Sequence, residues 1–307
     1  MNYTLHQLQV FLKVAELKSI TKASEALHLS QPAVSIQLKN FQDQFDLRLT
    51  EVVGRQLHVT DFGKEIASAV SVILDQVNAI NYKTESFRGQ LSGKLKISVV
   101  STGKYIIPYF LTDFVKMHPE ITLELDVTNK SGVVKNLENN EVDFSLVSLL
   151  PAKLIVEKME LMQNKLYIIT SGESQSDEKT YTKKILEKLP LIFREEGSAT
   201  RLVLEEFITK NNLDVKRKLE LTSNEAVKQA VISGLGSAVI PLIGLKNELQ
   251  NGDLRIIPTK GFPIKSMWHL IWLKGKKFSP LAEAYIKYLQ KHKSEIISAK
   301  FGWTENY

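Results

Sequence analysis

The sequence feature that most restricts the fold is a tight break between two short helical segments. Residues 24–45 read SEALHLSQPAVSIQLKNFQDQF, in which apolar residues at helical spacing stop at Leu-Ser-Gln-Pro and then resume. Ser30 is the predicted N-cap of the second segment, and Pro32 fits its first turn because no backbone N–H is needed there. Such a break is typical of a helix-turn-helix motif.

The helices around this break follow from apolar spacing. A first helix is predicted over residues 5–17, with apolar positions at Leu8, Phe11, Leu12 and Ala15. The segment KSIT ends it, and Thr21 is the predicted N-cap of a second helix that runs through Leu27. The third helix carries one apolar stripe, formed by Val34, Leu38, Phe41 and Phe45. Three short helices with a tight break before the third predict a helix-turn-helix domain.

The opposite face of the third helix is small, amide-bearing and partly apolar. Its residues are Pro32, Ala33, Ile36, Lys39 and Asn40, with Gln31, Ser35 and Gln37 on the flanks. Amides and hydroxyls pair with base edges, and Ala or Ile contacts thymine methyls, so this face suits a DNA major groove. A small helical bundle with an ordinary solvent face fits the same pattern. The net charge does not distinguish these two interpretations, since residues 1–60 hold six Lys or Arg and five Asp or Glu.

A family resemblance covers the same residues. The segments LQVFLKVAELKSITKASEALHLSQPAVSIQLKNFQDQF and LRLTEVVGRQLHVTDFG resemble the N-terminal domain of LysR-type transcriptional regulators. The matching residues are Phe11, Val14, Ala15, Glu16, Ser19, Thr21, Ala23, Ala26, Leu27, Ser30, Gln31, Pro32, Ala33, Ser35, Arg55, Thr60, Asp61, Phe62 and Gly63. The resemblance implies a winged helix-turn-helix in residues 1–60 that binds double-stranded promoter DNA.

The resemblance also implies which side chains contact that DNA. It assigns Gln31, Pro32, Ser35 and Arg55 to the interface, and the helical face adds Ile36 and Lys39. Two wing residues depart from the family pattern: Thr50 stands where Phe is usual, and Val52 stands where Arg is frequent. The wing is therefore expected to pack differently and to lack one cationic phosphate contact, while Arg55 and His58 remain. Ile36 replaces a polar or basic residue of many relatives, which is expected to alter base preference.

A long helix is predicted over residues 61–88. Apolar residues recur at spacings of four, three, four and three, at Ile66, Val70, Ile73, Val77 and Ile80. This heptad seam is typical of two helices packed side by side, although a single helix could bury the stripe against its own domain. The length of the run favours a homodimer, and the segment resembles the linker helix of a family that often forms tetramers. Residues 89–93 contain Gly89 and Gly93 and are the predicted hinge.

Residues 94–307 alternate between strand-like and helix-like segments, which predicts parallel α/β sheets. The pattern resembles the LysR effector domain, which shares its fold with periplasmic solute-binding proteins. It implies two subdomains, the first made of residues 94–164 and 267–307 and the second of residues 165–266. The segments FREEGSATR and LTSNEAVKQAVISGLGSAVIP further resemble a subgroup that includes Calvin-cycle and sulfite-responsive regulators.

Hydroxyl residues cluster where strands end and helices begin. In α/β folds these places bind ligands, because helix N-termini present free N–H groups to anions. The candidate effector residues are Ser101, Thr102, Thr128, Ser148, Ser198 and Thr200. Such hydroxyls also serve as simple N-caps, and Arg201 either adds charge or forms a surface pair. The resemblance implies a small effector between the subdomains, and the hydroxyls favour an anion such as a carboxylate, a phosphorylated metabolite or a sulfur oxyanion.

The sequence shows no recognisable catalytic, metal-binding or cofactor-binding motif. There is no cysteine, and the six histidines show no metal-ligand spacing. Ser198 lacks the frame of a hydrolase nucleophile, and Gly234 and Gly236 lack the third glycine of a dinucleotide motif. We therefore expect no catalytic residue, no metal and no cofactor, and no signal peptide or membrane span is recognised, so the expected location is cytoplasmic. A solute-binding protein with a helical extension is the main alternative. Effector identity, target genes, activation or repression, and dimer or tetramer stay open.

Overall fold

A computed structural model describes residues 3–54, 56–87, 91–174 and 180–307. The chain divides into two units, Met1–Gln90 and Leu91–Tyr307. The elements of the first unit are α1 (Leu5–Leu17), α2 (Ile20–Leu27), α3 (Gln31–Gln42), β1 (Thr50–Val53), β2 (Gln56–Val59) and α4 (Asp61–Phe87). Strands β1 and β2 form an antiparallel hairpin in which Thr50 pairs with Val59. The three predicted short helices, the wing and the long helix are therefore confirmed.

One predicted helix cap is wrong. Helix α2 begins at Ile20, and its N-cap is Ser19, whose hydroxyl accepts a hydrogen bond from the Lys22 amide at 3.2 Å. Thr21 lies inside the helix. The earlier start is explained by Ile20, which packs against the core of the unit as the first helical residue.

The core of the first unit holds α3 in place. Val10, Phe11 and Val14 of α1 are fully buried, and they share one cluster with the buried apolar residues of α3. The Phe41 ring contacts Phe11 at 5.0 Å and Phe45 at 5.1 Å between ring centroids. Because this apolar side faces α1, the other side of α3 is left at the surface.

The apolar stripe of α4 divides into two parts. Val70 is only 3% exposed and belongs to the core of its own unit, and Ile66 packs against the same core. These two residues pack within their own unit, and the predicted dimer seam of Ile66, Val70, Ile73, Val77 and Ile80 stays a prediction. Further along the helix, Ile73 is 40% and Ile80 is 64% exposed, and Val77 is half-buried. The second part of the stripe thus lies largely at the surface.

The second unit alternates strands and helices. Its first elements are β3 (Gly93–Val100), α5 (Ile107–Met117), β4 (Ile121–Thr128), α6 (Lys130–Glu138), β5 (Phe144–Val147), β6 (Val156–Ser171), α7 (Ile185–Lys188) and β7 (Leu191–Arg194). They are followed by α8 (Ala199–Lys210), β8 (Arg217–Leu221), α9 (Asn224–Ile232), β9 (Ser237–Pro241), α10 (Lys246–Asn251), β10 (Leu254–Ile256), β11 (Ile264–Leu273) and α11 (Pro280–Phe301). Single 3-10 turns occupy Gly103–Tyr105, Leu242–Gly244 and Gly302–Asn306.

The strands of this unit form one mixed sheet in the order β4-β3-β5-β11-β6-β9-β7-β8, with β10 paired to β6. Strand β3 is parallel to β4 and β5, and β7 is parallel to β8 and β9. The central strands β11 and β6 are antiparallel to each other and to their outer neighbours. The expectation of wholly parallel sheets is therefore wrong at the centre. There the chain leaves one half along β6 and returns along β11 in the opposite direction.

Each half of the sheet has its own core. Met162 of β6 packs in a cluster with α5 and α11, whereas Leu166 packs in a second cluster with α8 and β7. The strand thus passes from the first half to the second between these two residues, and β11 carries an irregularity between Met267 and His269. The predicted subdomain boundaries themselves stay a prediction. Within the described residues, no helix combines the length and apolar character needed to cross a lipid bilayer.

Candidate functional site

Most of the predicted DNA-contacting residues lie on one outer face of α3. Gln31, Pro32, Ile36 and Lys39 are exposed, and Ser35 is half-buried at the edge of that face. Ile36 is 57% exposed, so an apolar side chain of considerable size points away from the core. Within the described part of the chain, Lys39 forms no ion pair, whereas Lys13 of α1 pairs with Glu16 at 2.5 Å. The face therefore offers amide, hydroxyl, methyl and ammonium groups together.

The wing is anchored to the end of α3 by a polar contact. The backbone amide and the hydroxyl of Thr50 both donate to the Gln42 side-chain oxygen, at 2.8 and 2.6 Å. This pair of hydrogen bonds fixes Thr50, which stands where the family pattern usually has Phe. Val52 is 71% exposed and His58 is also exposed on the neighbouring strand. Arg55, the predicted wing contact, lies outside the described residues.

The hydroxyl residues of the first half of the sheet meet at one edge. Val100 of β3 pairs in parallel with Thr128, and Val99 pairs in parallel with Leu146 of β5. Ser101 and Ser148 follow these strands directly. Because parallel strands end at the same side of a sheet, the ends of β4, β3 and β5 bring these three hydroxyls to one edge.

The turn between β7 and α8 approaches the same edge from the second half. Gly197 adopts a φ of +83°, and a Cβ atom at this position would lie 2.7 Å from the Ser131 hydroxyl oxygen on α6. The glycine therefore permits close contact between the two halves. The Ser198 hydroxyl follows at the N-cap position of α8 but forms no capping hydrogen bond. The structure thus brings the Gly197 turn of the second half against α6 of the first half, and the boundary between them is called the cleft below.

Four of the candidate residues are largely buried, while their hydroxyls have no protein hydrogen-bond partner in the described part of the chain. Thr102, Ser148, Ser198 and Thr200 are each at most 7% exposed. Among the described residues, none of these four hydroxyls takes part in a hydrogen bond. Other hydroxyls at helix starts do cap, as Ser223 does by accepting from the Ala226 amide at 3.1 Å. Simple capping therefore does not account for Ser198.

Arg194, at the end of β7, is a candidate site residue that no sequence pattern predicts. It is 3% exposed, and its guanidinium donates to Glu195 at 2.8 and 3.0 Å, to the Asn224 side-chain oxygen, and to the Ser101 hydroxyl at 3.1 Å. The last bond joins the two halves of the domain at the cleft. The only signal in the sequence is an arginine that closes the buried strand PLIFR just before the Gly197 turn.

Arg201 is paired with carboxylates, but its side chain is only 14% exposed, and it also donates to the Arg194 carbonyl at 3.3 Å. Its guanidinium pairs with Glu205 at 2.6 Å and with Glu220 at 2.9 Å. The hydrogen bond to Glu205 raises the pKa of Arg201. Two carboxylates therefore balance this arginine, and it adds no free charge to the cleft.

A second group of polar contacts also crosses between the halves. The Tyr105 hydroxyl donates to Glu225 of α9, and Lys104 lies 3.7 Å from the same carboxylate. Burial and then the bond to Glu225 raise the pKa of Tyr105. Burial alone would raise the pKa of Glu225, but hydrogen bonds from Tyr105 and Lys228 bring it below its ordinary value. Lys228 is buried between Glu225 at 3.1 Å and Glu248 at 2.5 Å. Burial would lower its pKa, yet both carboxylates raise it.

Both units match known protein families. Residues 5–64 match the bacterial regulatory helix-turn-helix proteins of the lysR family, and residues 88–294 match the LysR substrate binding domain. The second match alone spans more than half of the chain. The chain belongs to the LysR family.

This LysR-type regulator is similar to proteins that include RuBisCO operon transcriptional regulators. It is 34% identical over 300 residues to the HTH-type transcriptional activator CmpR of Synechocystis sp., covering 97% of this chain and 99% of that protein. It is 36% identical over 290 residues to the RuBisCO operon transcriptional regulator of Allochromatium vinosum, covering 94% and 96%. The predicted resemblance to Calvin-cycle regulators is thereby confirmed.

A solved structure resembles the effector domain. The regulatory domain of Synechocystis PCC6803 CcmR in complex with 2-PG aligns with a TM-score of 0.62 and 33% identity, covering 64% of this chain and 96% of that chain. The fold prediction of a helix-turn-helix domain followed by an α/β effector domain is confirmed. The regulator is a DNA-binding transcriptional regulator with an effector-binding domain and not an enzyme, since its relatives are transcriptional regulators. A solute-binding protein with a helical extension is excluded on the same ground.

Proposed function

We propose that this regulator binds promoter DNA as a homodimer through α3 and its wing, and that a small phosphorylated carboxylate bound between the two subdomains sets its activity. The DNA contacts are assigned to Gln31, Pro32, Ser35, Ile36, Lys39 and Arg55. The effector contacts are assigned to Ser101, Thr102, Thr128, Ser148, Ser198 and Thr200. Because its partner is promoter DNA, the proposal places the regulator in the cytoplasm.

The exposed face of α3 supports the DNA part of the proposal. Its side chains include the base-pairing types, amide and hydroxyl, and Ile36 supplies an apolar surface for thymine methyl groups. Lys39 and the exposed Arg48 are without an ion-pair partner among the described residues, so both are available to phosphates. Two such units in a dimer would read two half-sites on one face of the DNA.

The hydroxyls of the four largely buried residues, Thr102, Ser148, Ser198 and Thr200, are the observation that carries the effector part. Among the described residues they have no protein hydrogen-bond partner, and they are not fully enclosed, so each can bond to a ligand without first breaking a hydrogen bond within the protein. Hydroxyls also coordinate phosphate and carboxylate oxygens without adding charge of their own. The similar CcmR domain binds 2-PG, 2-phosphoglycolate, which carries both groups. We therefore choose a phosphorylated carboxylate from the three anion classes that the sequence left open.

Titration calorimetry on the purified full-length regulator tests this assignment, with 2-PG as the ligand and sulfate, inorganic phosphate and a dicarboxylate for comparison. Changing Thr102 and Thr200 together to Val keeps the side-chain shape and removes two hydroxyls. Hydrogen bonds to charged groups are each worth about 1.5–3 kcal/mol, so the double variant is expected to lose roughly 100-fold or more in affinity for 2-PG.

Thr209→Val is the matched control, because it is the same substitution on the outer side of α8. The Thr209 hydroxyl donates to the Glu205 carbonyl at 2.8 Å and does not belong to the cleft. This variant is expected to bind 2-PG like the wild type. Unchanged affinity in the Thr102 and Thr200 double variant would show that the effector site was wrongly placed.

A further inference from the structure

Arg194 is held rigidly at the boundary between the two halves of the effector domain. Its Nε and one Nη2 proton contact the two carboxylate oxygens of Glu195, at 2.8 and 3.0 Å, in a bidentate pair. Its Nη1 contacts Asn224 at the start of α9. A guanidinium fixed at three nitrogens has a defined plane, because its five N–H donors form a rigid fork. Its remaining bonds therefore have defined directions.

One of those directions leads to Ser101. The second Nη2 proton is donated to the Ser101 hydroxyl oxygen at 3.1 Å. Within the described residues Ser101 makes no other side-chain hydrogen bond. A hydroxyl has one proton to donate, and accepting a bond from a cation polarises that proton and strengthens the bond it donates. The Ser101 O–H is thus prepared to donate to an acceptor.

The positive charge of Arg194 is largely neutralised by an ion pair with the adjacent Glu195. Glu195 contacts it through both carboxylate oxygens, and the side chain of Arg194 is only 2% exposed. The arginine therefore acts mainly by orienting its hydrogen-bond partner in the cleft, and it adds little net positive charge there. This distinguishes it from an arginine that clamps an anion directly, whose fork is open towards the ligand.

We propose that Arg194 is a positioning residue of the effector site: it fixes the Ser101 hydroxyl so that its proton is donated to an oxygen of the bound anion. This inference rests on the proposed effector site and deepens it. It predicts that the contributions of Arg194 and Ser101 to anion binding are one contribution, because the arginine acts through the serine.

A double-mutant cycle on the full-length regulator tests this coupling by titration calorimetry with 2-PG. Ser101→Ala and Arg194→Met are each expected to weaken binding roughly tenfold, the size of one hydrogen bond to a charged group. The double variant is expected to bind as weakly as either single variant and no weaker. A merely structural role of Arg194 would lower affinity in the Ser101→Ala background as well, and the two effects would multiply.

Arg194→Lys repeats the cycle with the charge retained, in case the methionine variant does not fold. A lysine ammonium cannot hold the bidentate pair with Glu195 and reach Ser101 in the same geometry, so the same reduction in affinity is expected. Arg217→Lys is the control, since this exposed arginine of β8 pairs with Glu220 at 2.7 Å. If the losses of affinity from the Arg194 and Ser101 changes multiply in the double variant, the inference about Arg194 is wrong and the proposed effector site is unaffected. Absence of 2-PG binding by the wild type would overturn the proposed effector and this inference with it.

Discussion

At the scale of single residues, the face of α3 proposed to contact DNA is expected to separate into side chains that read bases and side chains that hold the DNA backbone. Gln31 and Ser35 are assigned to the first kind, and Lys39 to the second. Replacing Gln31 and Ser35 by Ala is expected to cost about 1–3 kcal/mol for each base-reading side chain removed and to relax sequence preference. Lys39→Ala is expected to weaken binding to all sequences alike and to lower the salt slope by about one.

Footprinting on the regulator's own upstream DNA, at several salt concentrations and against unrelated DNA, separates these two effects. Lys13→Ala is the control, because Lys13 pairs with Glu16 on α1 and is not assigned to the interface. Specific binding that survives the change of both Gln31 and Ser35 would refute the assignment of base contacts.

The residue scale also shows which site residues a sequence reveals. The cleft hydroxyls could be predicted because they stand at the ends of strands, and strand ends follow from local patterns. Arg194 could not be predicted in the same way. Its burial depends on Ser101, 93 positions earlier, and on Asn224, 30 positions later. No local pattern states that these three residues meet.

At the scale of elements, α4 shows the limit of a periodic pattern. The heptad spacing is the same along the whole helix, yet Val70 joins the core of its own unit whereas Ile73 does not. Spacing identifies an apolar stripe, but the position of α1 decides which part of the stripe is covered. The N-cap of α2 is a similar case, since Ser19 and Thr21 are both good caps and the packing of Ile20 selects the first.

The exposed part of the α4 stripe yields a prediction about the dimer. Ile73→Glu would place an unpaired charge in the proposed seam, at a cost of several kcal/mol, and is expected to shift the regulator towards monomers in sedimentation velocity. Val72→Glu is a close control, because Val72 is 45% exposed, the neighbouring Ile73 is 40% exposed, and Val72 is not part of the seam. An Ile73→Glu protein that sediments and binds DNA like the Val72→Glu protein would rule out the seam.

At the scale of the whole effector domain, three segments join the two halves. Strands β6 and β11 pass between them within the sheet, and their antiparallel course was hidden in the sequence because alternation of strands and helices does not give strand direction. The third connection follows α11. Tyr285 and Phe301 of that helix are buried in the core of the first half, and the following turn, Gly302–Asn306, reaches β6.

Lys165 of β6 holds this last turn. It is 9% exposed and donates to the Thr304 carbonyl at 2.9 Å and to the Tyr307 carbonyl at 3.4 Å, with Glu305 also at 3.4 Å. On the same side, Tyr307 lines a cavity of about 410 Å³ with Tyr167 and Phe262 of the second half. The turn after α11 therefore connects this helix of the first half to β6 and to the aromatic side chains of the second half.

Lys165→Met is expected to release this connection, because it removes the shared donor and leaves the buried Thr304 carbonyl without this partner, at a cost of about 1–3 kcal/mol. Hydrogen exchange should become faster over residues 302–307, and the unfolding temperature should fall by a few degrees. Lys293→Met is the control, since this half-buried lysine of α11 makes a solvent-exposed hydrogen bond to the Glu160 carbonyl at 3.0 Å and its removal should cost at most about 0.5 kcal/mol. If residues 302–307 keep their protection in the Lys165 variant, the turn is held by its aromatic contacts and Lys165 does not fasten it.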